Sequence, residues 1–197
     1  MVRPAALLFF LLMLHQVSPA QTQSSFACSG ILKSSLTISP GFLLQQDGTN
    51  IYLDGALEYF TEDHISLRSE LFYYTSSQTK PAPFESNHHL MFGALYHFPF
   101  RRFDYFAGIE PGISLTNPNV VTLLDIVSPQ LKVVPTISVI TGITLYVYDY
   151  FHFFADLHYM HARYFGSETG AIPLDEITVS AGLGLQIMAK KGKGYYK

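Results

Sequence analysis

Hydrophobic and polar residues alternate along most of this chain. The segment "HISLRSELFYY" (64–74) shows the pattern: Ile65 and Leu67 fall on one face of an extended chain, and Arg68 and Glu70 fall on the other. Because successive side chains of a β-strand point to opposite sides, this segment is predicted to be a strand with one apolar and one charged face.

Seven further segments show the same period of two residues. They are 35–45, 51–60, 88–98, 103–115, 134–148, 152–165 and 177–188. Connections after the second, fourth and sixth segments are tight, whereas those after the third, fifth and seventh are long. This layout is typical of a membrane barrel. We therefore predict an all-β fold, an eight-stranded antiparallel up-and-down transmembrane β-barrel over residues 35–188.

The residues that share a face with the charges indicate which side is wet. Gly, Ser and Thr share that face, while the opposite face carries Ile, Leu, Val, Phe and Tyr. In a membrane barrel the apolar face contacts lipid and the polar face lines the lumen, whereas a lipocalin-like soluble barrel reverses the two. We therefore predict a lumen polar network of Arg68, Glu58, Glu70, Glu110, Asp156 and His158.

The predicted lumen is rich in acids and poor in bases. Eight strands leave an interior that side chains fill, so no large pore is expected. A short turn around Asp63 places Glu58 opposite Arg68, which is the one fixed cation assigned to the lumen. We predict that Arg68 bridges Glu58 and a second carboxylate in a polar plug. A gated or proton-conducting path is the alternative.

Composition and the N-terminal sequence predict that the barrel is exported to the cell envelope. Only 14% of residues are charged, and the net charge of −3 provides no basic field for nucleic acid. Residues 1–20 read as a signal peptide, with the apolar run "AALLFFLLML" (5–14) too short to span a bilayer. We expect an N-terminal periplasmic arm over 21–34, a C-terminal tail over 189–197, and localisation in the outer membrane.

Cys28 is the single cysteine and therefore forms no internal disulfide. A lipoprotein anchor is one interpretation, but the cysteine lies well past the apolar run of the signal peptide. The other interpretation, which we favour, is a thiol in a disordered N-terminal arm.

The sequence resembles the eight-stranded outer-membrane barrels of the OmpA/OmpX type over residues 35–188. The most specific local similarity is in the last strand, at Ser180, Gly182, Leu185 and Ile187. The resemblance implies that these residues form an assembly signal for the barrel-assembly machinery. It also implies that outer-membrane lipid, including lipopolysaccharide, surrounds the protein.

The loop "NVVTLLDIVSPQL" (119–131) is unusually apolar for an exterior connection. Its candidate contact residues are Val120, Val121, Leu123, Leu124, Ile126 and Val127. It is expected to extend the neighbouring strands, fold as a short helix over the mouth, or present an edge to a partner. OmpX-like barrels use protruding strands in this way, which implies a structural or adhesion-like surface-interaction role. A local cap on its own barrel is the alternative.

Catalytic and metal-binding signals are weak. Lipid A deacylases carry a His-x-Ser pair, and the similar position here reads His161-Ala162-Arg163, without the serine and without an acid close in sequence. His158 and His161 point to opposite faces of a strand, so they do not chelate together. We expect no enzyme activity, cofactor or metal. A lipid A-modifying hydrolase or acyltransferase is the alternative function.

Overall fold

The structure is a computed structural model that describes residues 27–45, 48–119, 131–167 and 170–189. Within these residues it contains eight long strands and one short strand. They are β1 (Ile31–Leu43), β2 (Gly48–Glu62), β3 (Ile65–Ser77), β4 (Phe84–Phe100), β5 (Phe103–Pro118), β6 (Lys132–Tyr148), β7 (Phe151–Ser167), β8 (Gly170–Pro173) and β9 (Glu176–Met188). The predicted all-β class is confirmed.

The eight long strands form a closed antiparallel barrel. Strands β1 to β7 pair with their neighbours in chain order, and β9 pairs with both β7 and β1 to complete the circle. The short strand β8 pairs only with β7 and extends it beyond the barrel wall. Each of the eight long strands has a neighbour on both sides, as a barrel inside a bilayer requires, and the β1–β9 register covers residues 31–35 and 41–43 of β1.

Most strand ends differ by a few residues from the sequence-based expectation, and two differences matter for the site. Strand β1 begins at Ile31, so residues 31–34 of the expected N-terminal arm belong to the barrel wall. Strand β8 lies in the long connection predicted at 166–176. Its four residues, "GAIP", are too few to produce a detectable alternation.

The apolar face of the sheet points outward, as predicted. Ile38 is 68% exposed and Phe92 is 57% exposed, whereas Arg68 is 4% exposed and Glu110 is fully buried. In water such an arrangement would expose a broad apolar surface and bury charge, both of which are unfavourable. Surrounding lipid makes the exposed apolar surface favourable, and ion pairs inside the barrel offset the cost of the buried charge. The transmembrane orientation of the two faces follows.

Exposed aromatic residues collect toward the two ends of the barrel. The end with the short turns at 63–64, 101–102 and 149–150 is called the turn end, and the opposite end is called the loop end. Exposed rings near the turn end include Tyr96, Phe98, Phe103, Tyr105 and Phe153, and those near the loop end include Tyr73 and Phe165. These two groups resemble the aromatic girdles of membrane barrels.

Within the residues that the structure describes, no helix is long and apolar enough to cross a membrane.

Candidate functional site

Charged side chains fill the middle of the lumen. The central cluster consists of Arg68 from β3, Glu70 from β3, Glu110 from β5, and Asp156 and His158 from β7. Arg68 Nη2 donates to Glu70 Oε1 at 2.5 Å and to Asp156 Oδ2 at 3.0 Å. Its Nε lies 4.0 Å from Glu110 Oε1. The structure brings these five residues of the predicted lumen network together.

His158 links the acids of the central cluster to one another. Its Nε2 lies 3.4 Å from Glu70 Oε2 and 3.6 Å from Asp156 Oδ1. Its Nδ1 lies 3.5 Å from Glu110 Oε2 and 3.3 Å from Ser138 Oγ. One imidazole ring therefore faces three carboxylates.

The expected Arg68–Glu58 ion pair is wrong, although the register that suggested it is correct. Glu58 does oppose Arg68 across the β2–β3 hairpin. However, its carboxylate contacts Lys33 Nζ at 3.5 Å and His97 Nε2 at 3.2 Å instead. Arg68 reaches across the lumen to Asp156 on β7, a strand on the other side of the barrel.

Lys33 is a second lumen cation that the sequence analysis missed. It lay in the segment assigned to the N-terminal arm, but it is 3% exposed inside β1. Lys33 joins Glu58 and His97 in a turn-end cluster with Asp104, whose Oδ2 lies 3.5 Å from Lys33 Nζ and 2.8 Å from His97 Nδ1. Arg68 is therefore not the single fixed cation of the lumen.

A further polar group occupies the loop end of the lumen. Glu176 accepts hydrogen bonds from Tyr52 Oη at 2.8 Å and from Asn50 Nδ2 at 3.0 Å. Asn87 Nδ2 donates to Tyr52 Oη at 3.0 Å, and His89 Nε2 lies 3.6 Å from Glu176 Oε2. The polar network therefore extends well beyond the residues predicted for it.

Apolar clusters lie beyond the polar network at both ends. The loop-end cap consists of Phe84, Val134, Ala162, Tyr164 and Leu174. The turn-end cap consists of Ala27, Ile31, Phe60 and Tyr146. The lumen is thus a charged interior with an apolar group at each mouth. A small cavity beside Lys33, Glu58 and Arg68 has room for about one water molecule.

Cys28 lies against the turn-end cap rather than in a disordered arm. It packs beside the cap with Met188, and its carbonyl accepts a hydrogen bond from Ile31 N at 3.3 Å. Burial, and then the nearby Asp63 carboxylate, raise the pKa of the Cys28 thiol. Both effects favour the unreactive protonated form.

The four residues of the proposed assembly signal divide between the two faces of β9. Leu185 and Ile187 point outward and are 52% and 54% exposed. Ser180 and Gly182 point inward, and Ser180 Oγ donates to Asp54 Oδ2 at 2.7 Å. Ser180 therefore also solvates a buried acid. The apolar loop residues 120–127 lie outside the described residues.

His161 has an acidic partner that the sequence did not reveal. His161 Nδ1 lies 2.5 Å from Asp175 Oδ1, and Gln45 Nε2 donates to Asp175 Oδ2 at 3.1 Å. The pair lies at the loop end of the outer surface, where the His161 side chain is 39% exposed. Asp175 is fourteen residues away in sequence, and the β7–β9 connection brings it back beside β7.

The structure also brings three potential metal ligands together. One ligand atom from each of Glu70, Glu110 and His158 lies within 4.8 Å of the other two. These residues come from three different strands, so no spacing in the sequence reveals their proximity. All three side chains are buried.

Comparison with known proteins identifies the architecture. No family model matches this sequence, and no curated protein matches it by sequence. Among solved structures, Neisserial surface protein A has a TM-score of 0.56 at 11% identity, covering 81% of this chain and 97% of that chain. The N-terminal β-barrel domain of Pseudomonas aeruginosa OprF has a TM-score of 0.52 at 13% identity, covering 81% and 98%.

Ail, the attachment invasion locus protein of Yersinia pestis, is similar to the same extent. Its TM-score is 0.52 at 8% identity, covering 81% of this chain and 99% of that chain. Identities this low define the fold and leave the activity open. The chain therefore has the eight-stranded β-barrel fold of these outer-membrane proteins.

Proposed function

We propose that this protein resides in the outer membrane, has a plugged and non-conducting lumen, and serves a structural and surface-interaction role. The observation that carries the proposal is the filled interior. Charged side chains from different strands meet inside the lumen at 3.0 to 4.0 Å, and an apolar cap lies at each mouth. An eight-stranded barrel has no space for both this network and a permeation path.

Single-channel recording in planar bilayers tests the plug. We expect the refolded protein to insert without stable ion-conducting steps. The double variant Lys33→Ala/Glu58→Ala removes two side chains beside the small cavity. It is recorded for comparison, because a weakened plug is the form in which conduction is easiest to detect. A stable conducting state in the unmodified protein would contradict the proposal.

Cell fractionation tests the proposed location. We expect the protein to sediment with the outer membrane and to migrate faster on a gel before boiling than after it, as folded barrels do. Recovery in the soluble fraction without detergent would contradict both the location and the lipid-facing orientation of the apolar surface.

Surface interaction is supported by the long connections, which all lie at the loop end. Ail, one of the proteins of similar fold, is described as an attachment protein. Replacing residues 119–131 with a Gly/Ser linker of equal length tests the role of the apolar loop. We expect loss of cell-surface binding with the heat-modifiable migration retained, whereas the same replacement of 78–83 is the matched control. Unchanged binding, or loss of folding, would favour a cap on the barrel itself.

A lipid-modifying hydrolase is the second candidate function, and the His161–Asp175 pair favours it. An imidazole oriented by a carboxylate acts as a general base, and this one lies where lipid ester groups meet the barrel. In that mechanism His161 takes a proton from water and the water oxygen attacks an ester carbonyl. The C–O bond to the alcohol then breaks, and the proton on His161 passes to the departing alkoxide, which gives a carboxylic acid and an alcohol. Mass spectrometry of lipid A from cells with and without the His161→Gln variant tests it. Identical spectra would exclude this function.

A further inference from the structure

We propose that Glu70, Glu110 and His158 bind one divalent transition-metal ion, of the zinc class, inside the barrel. A carboxylate oxygen of each glutamate and a ring nitrogen of the histidine lie within 4.8 Å of one another. Carboxylate oxygen and imidazole nitrogen are common zinc ligands. Calcium and magnesium favour more numerous, purely oxygen ligands, so the histidine points to the zinc class.

Unsatisfied polar atoms at the same place are a second, independent observation. Glu70 Oε2, both carboxylate oxygens of Glu110, and His158 Nε2 are buried and form no hydrogen bond. The three side chains are 0 to 1% exposed. The nearest charged groups lie 3.4 to 4.0 Å from these atoms, which is longer than an ordinary hydrogen bond, and a bound cation would give the same set of atoms a closer partner.

The spacing of the donors suits a small ion. Zinc ligands lie about 2.0–2.1 Å from the metal, so two ligands of a tetrahedral site are about 3.4 Å apart. His158 Nε2 and Glu70 Oε2 are 3.4 Å apart. The Glu110 carboxylate makes no hydrogen bond, but it must move toward the ion and give up its contacts with His158 Nδ1 at 3.5 Å and Arg68 Nε at 4.0 Å.

Charge balance favours a dication at this position. Glu70, Glu110 and Asp156 carry three negative charges when ionised, and Arg68 supplies one positive charge through its bonds to Glu70 Oε1 and Asp156 Oδ2. A divalent ion bound to neutral His158 brings this group to net zero. Two added protons would achieve the same balance, and zinc retention after refolding distinguishes protons from a bound metal ion.

The apolar caps predict how the ion enters and leaves. Because both mouths of the lumen carry a buried apolar cluster, the ion is loaded while the barrel folds and is then retained. The full-length protein is therefore refolded from urea into detergent micelles with and without zinc. EDTA then removes accessible metal, and elemental analysis measures the zinc that remains for each chain.

We expect the wild-type protein refolded with zinc to retain about one ion per chain, and the variants Glu110→Gln and His158→Gln to retain at least about tenfold less. His152→Gln is the matched control, since His152 is also a buried lumen histidine but lines the small cavity with Lys33 and Glu58 and is not one of the proposed ligands. His161→Gln excludes a contribution from the outer-surface pair. Heat-modifiable migration verifies that each variant is folded.

Three results would overturn the proposal. In the first, the wild-type protein retains no zinc above a protein-free blank, which is the outcome if protons balance the charge. In the second, folded Glu110→Gln and His158→Gln retain as much zinc as the wild type. In the third, only His152→Gln loses zinc. Should the site variants fail to fold, cobalt(II) replaces zinc in the wild type. Intense visible bands from a tetrahedral nitrogen and oxygen site support the proposal, and their absence overturns it.

Discussion

Arg68 holds two carboxylates on different strands, and its removal tests how the central cluster contributes to stability. We expect Arg68→Gln to lower the free energy of unfolding by about 3–5 kcal/mol, because it leaves buried carboxylates without their cation. Urea titration in detergent micelles, followed by far-ultraviolet circular dichroism, measures it, since the chain has no tryptophan to report. Arg102→Gln is the control because Arg102 is exposed in a turn. Equal losses in the two variants would contradict the prediction.

Gly93 makes room for the central cluster at the level of Arg68. A Cβ at Gly93 would lie 2.2 Å from the backbone oxygen of Ile109 and 2.6 Å from Glu110 Cγ, whereas a Cβ at Gly55 would lie 3.5 Å from its nearest neighbour. We expect Gly93→Ala to destabilise the barrel by about 1–3 kcal/mol, as overpacking does, and Gly55→Ala to have little effect. The same urea titration compares them, and equal stability of both variants would contradict this reading of the packing.

At single positions, the sequence predicted which face of a strand a side chain occupies better than which residue it contacts. Alternation assigned Arg68, Glu70, Glu110, Asp156 and His158 to the lumen, and the structure places all of them there. It did not predict which acid each cation contacts. The Arg68–Asp156 contact crosses the lumen between strands far apart in sequence, and such a contact depends on the diameter and stagger of the closed barrel.

Strand β7 crosses the lipid-facing belt, and every second residue of it points toward lipid. Substitutions along β7 therefore test how deep in the bilayer each position lies. Leu157 lies near the middle of the belt and Phe165 lies at the loop end, and both are exposed. We expect Leu157→Arg to cost about 2–4 kcal/mol and Phe165→Arg about 0–1 kcal/mol, because an exposed charge is least tolerated at the bilayer midplane. Unfolding in lipid vesicles measures the difference. Equal costs at the two depths would contradict the assigned position of the belt.

For whole elements, the sequence predicted the long strands and missed their ends. The eight alternating segments correspond to β1–β7 and β9, yet the short β8 and the first four residues of β1 were missed. As a result, polar contacts of the lumen and of the outer surface were not predicted. The early start of β1 carries Lys33 into the lumen, and the β7–β9 connection brings Asp175 to His161. Element ends depend on tertiary pairing more than on local pattern.

The height of the apolar belt determines the hydrocarbon thickness of the bilayer that suits the whole molecule. From Phe151 to His161 on β7, ten residue steps of about 3.3 Å at a tilt of about 45° span about 23 Å. That height is below the roughly 30 Å hydrocarbon core of an average bilayer and suits a thin outer membrane. The barrel is therefore matched to thin membranes.

Folding into phosphatidylcholine vesicles of increasing acyl-chain length, from didecanoyl to distearoyl, measures this match. We expect the folded fraction, quantified by heat-modifiable migration, to be highest where the hydrocarbon thickness is near 23 Å and to fall as thickness increases, because mismatch requires the bilayer to thin around the protein. Protein in lipid-free buffer is the control and is expected to remain unfolded, since its exposed belt has no apolar partner there. A folded fraction that rises steadily with thickness, or full folding in buffer alone, would refute a lipid-matched belt of this height.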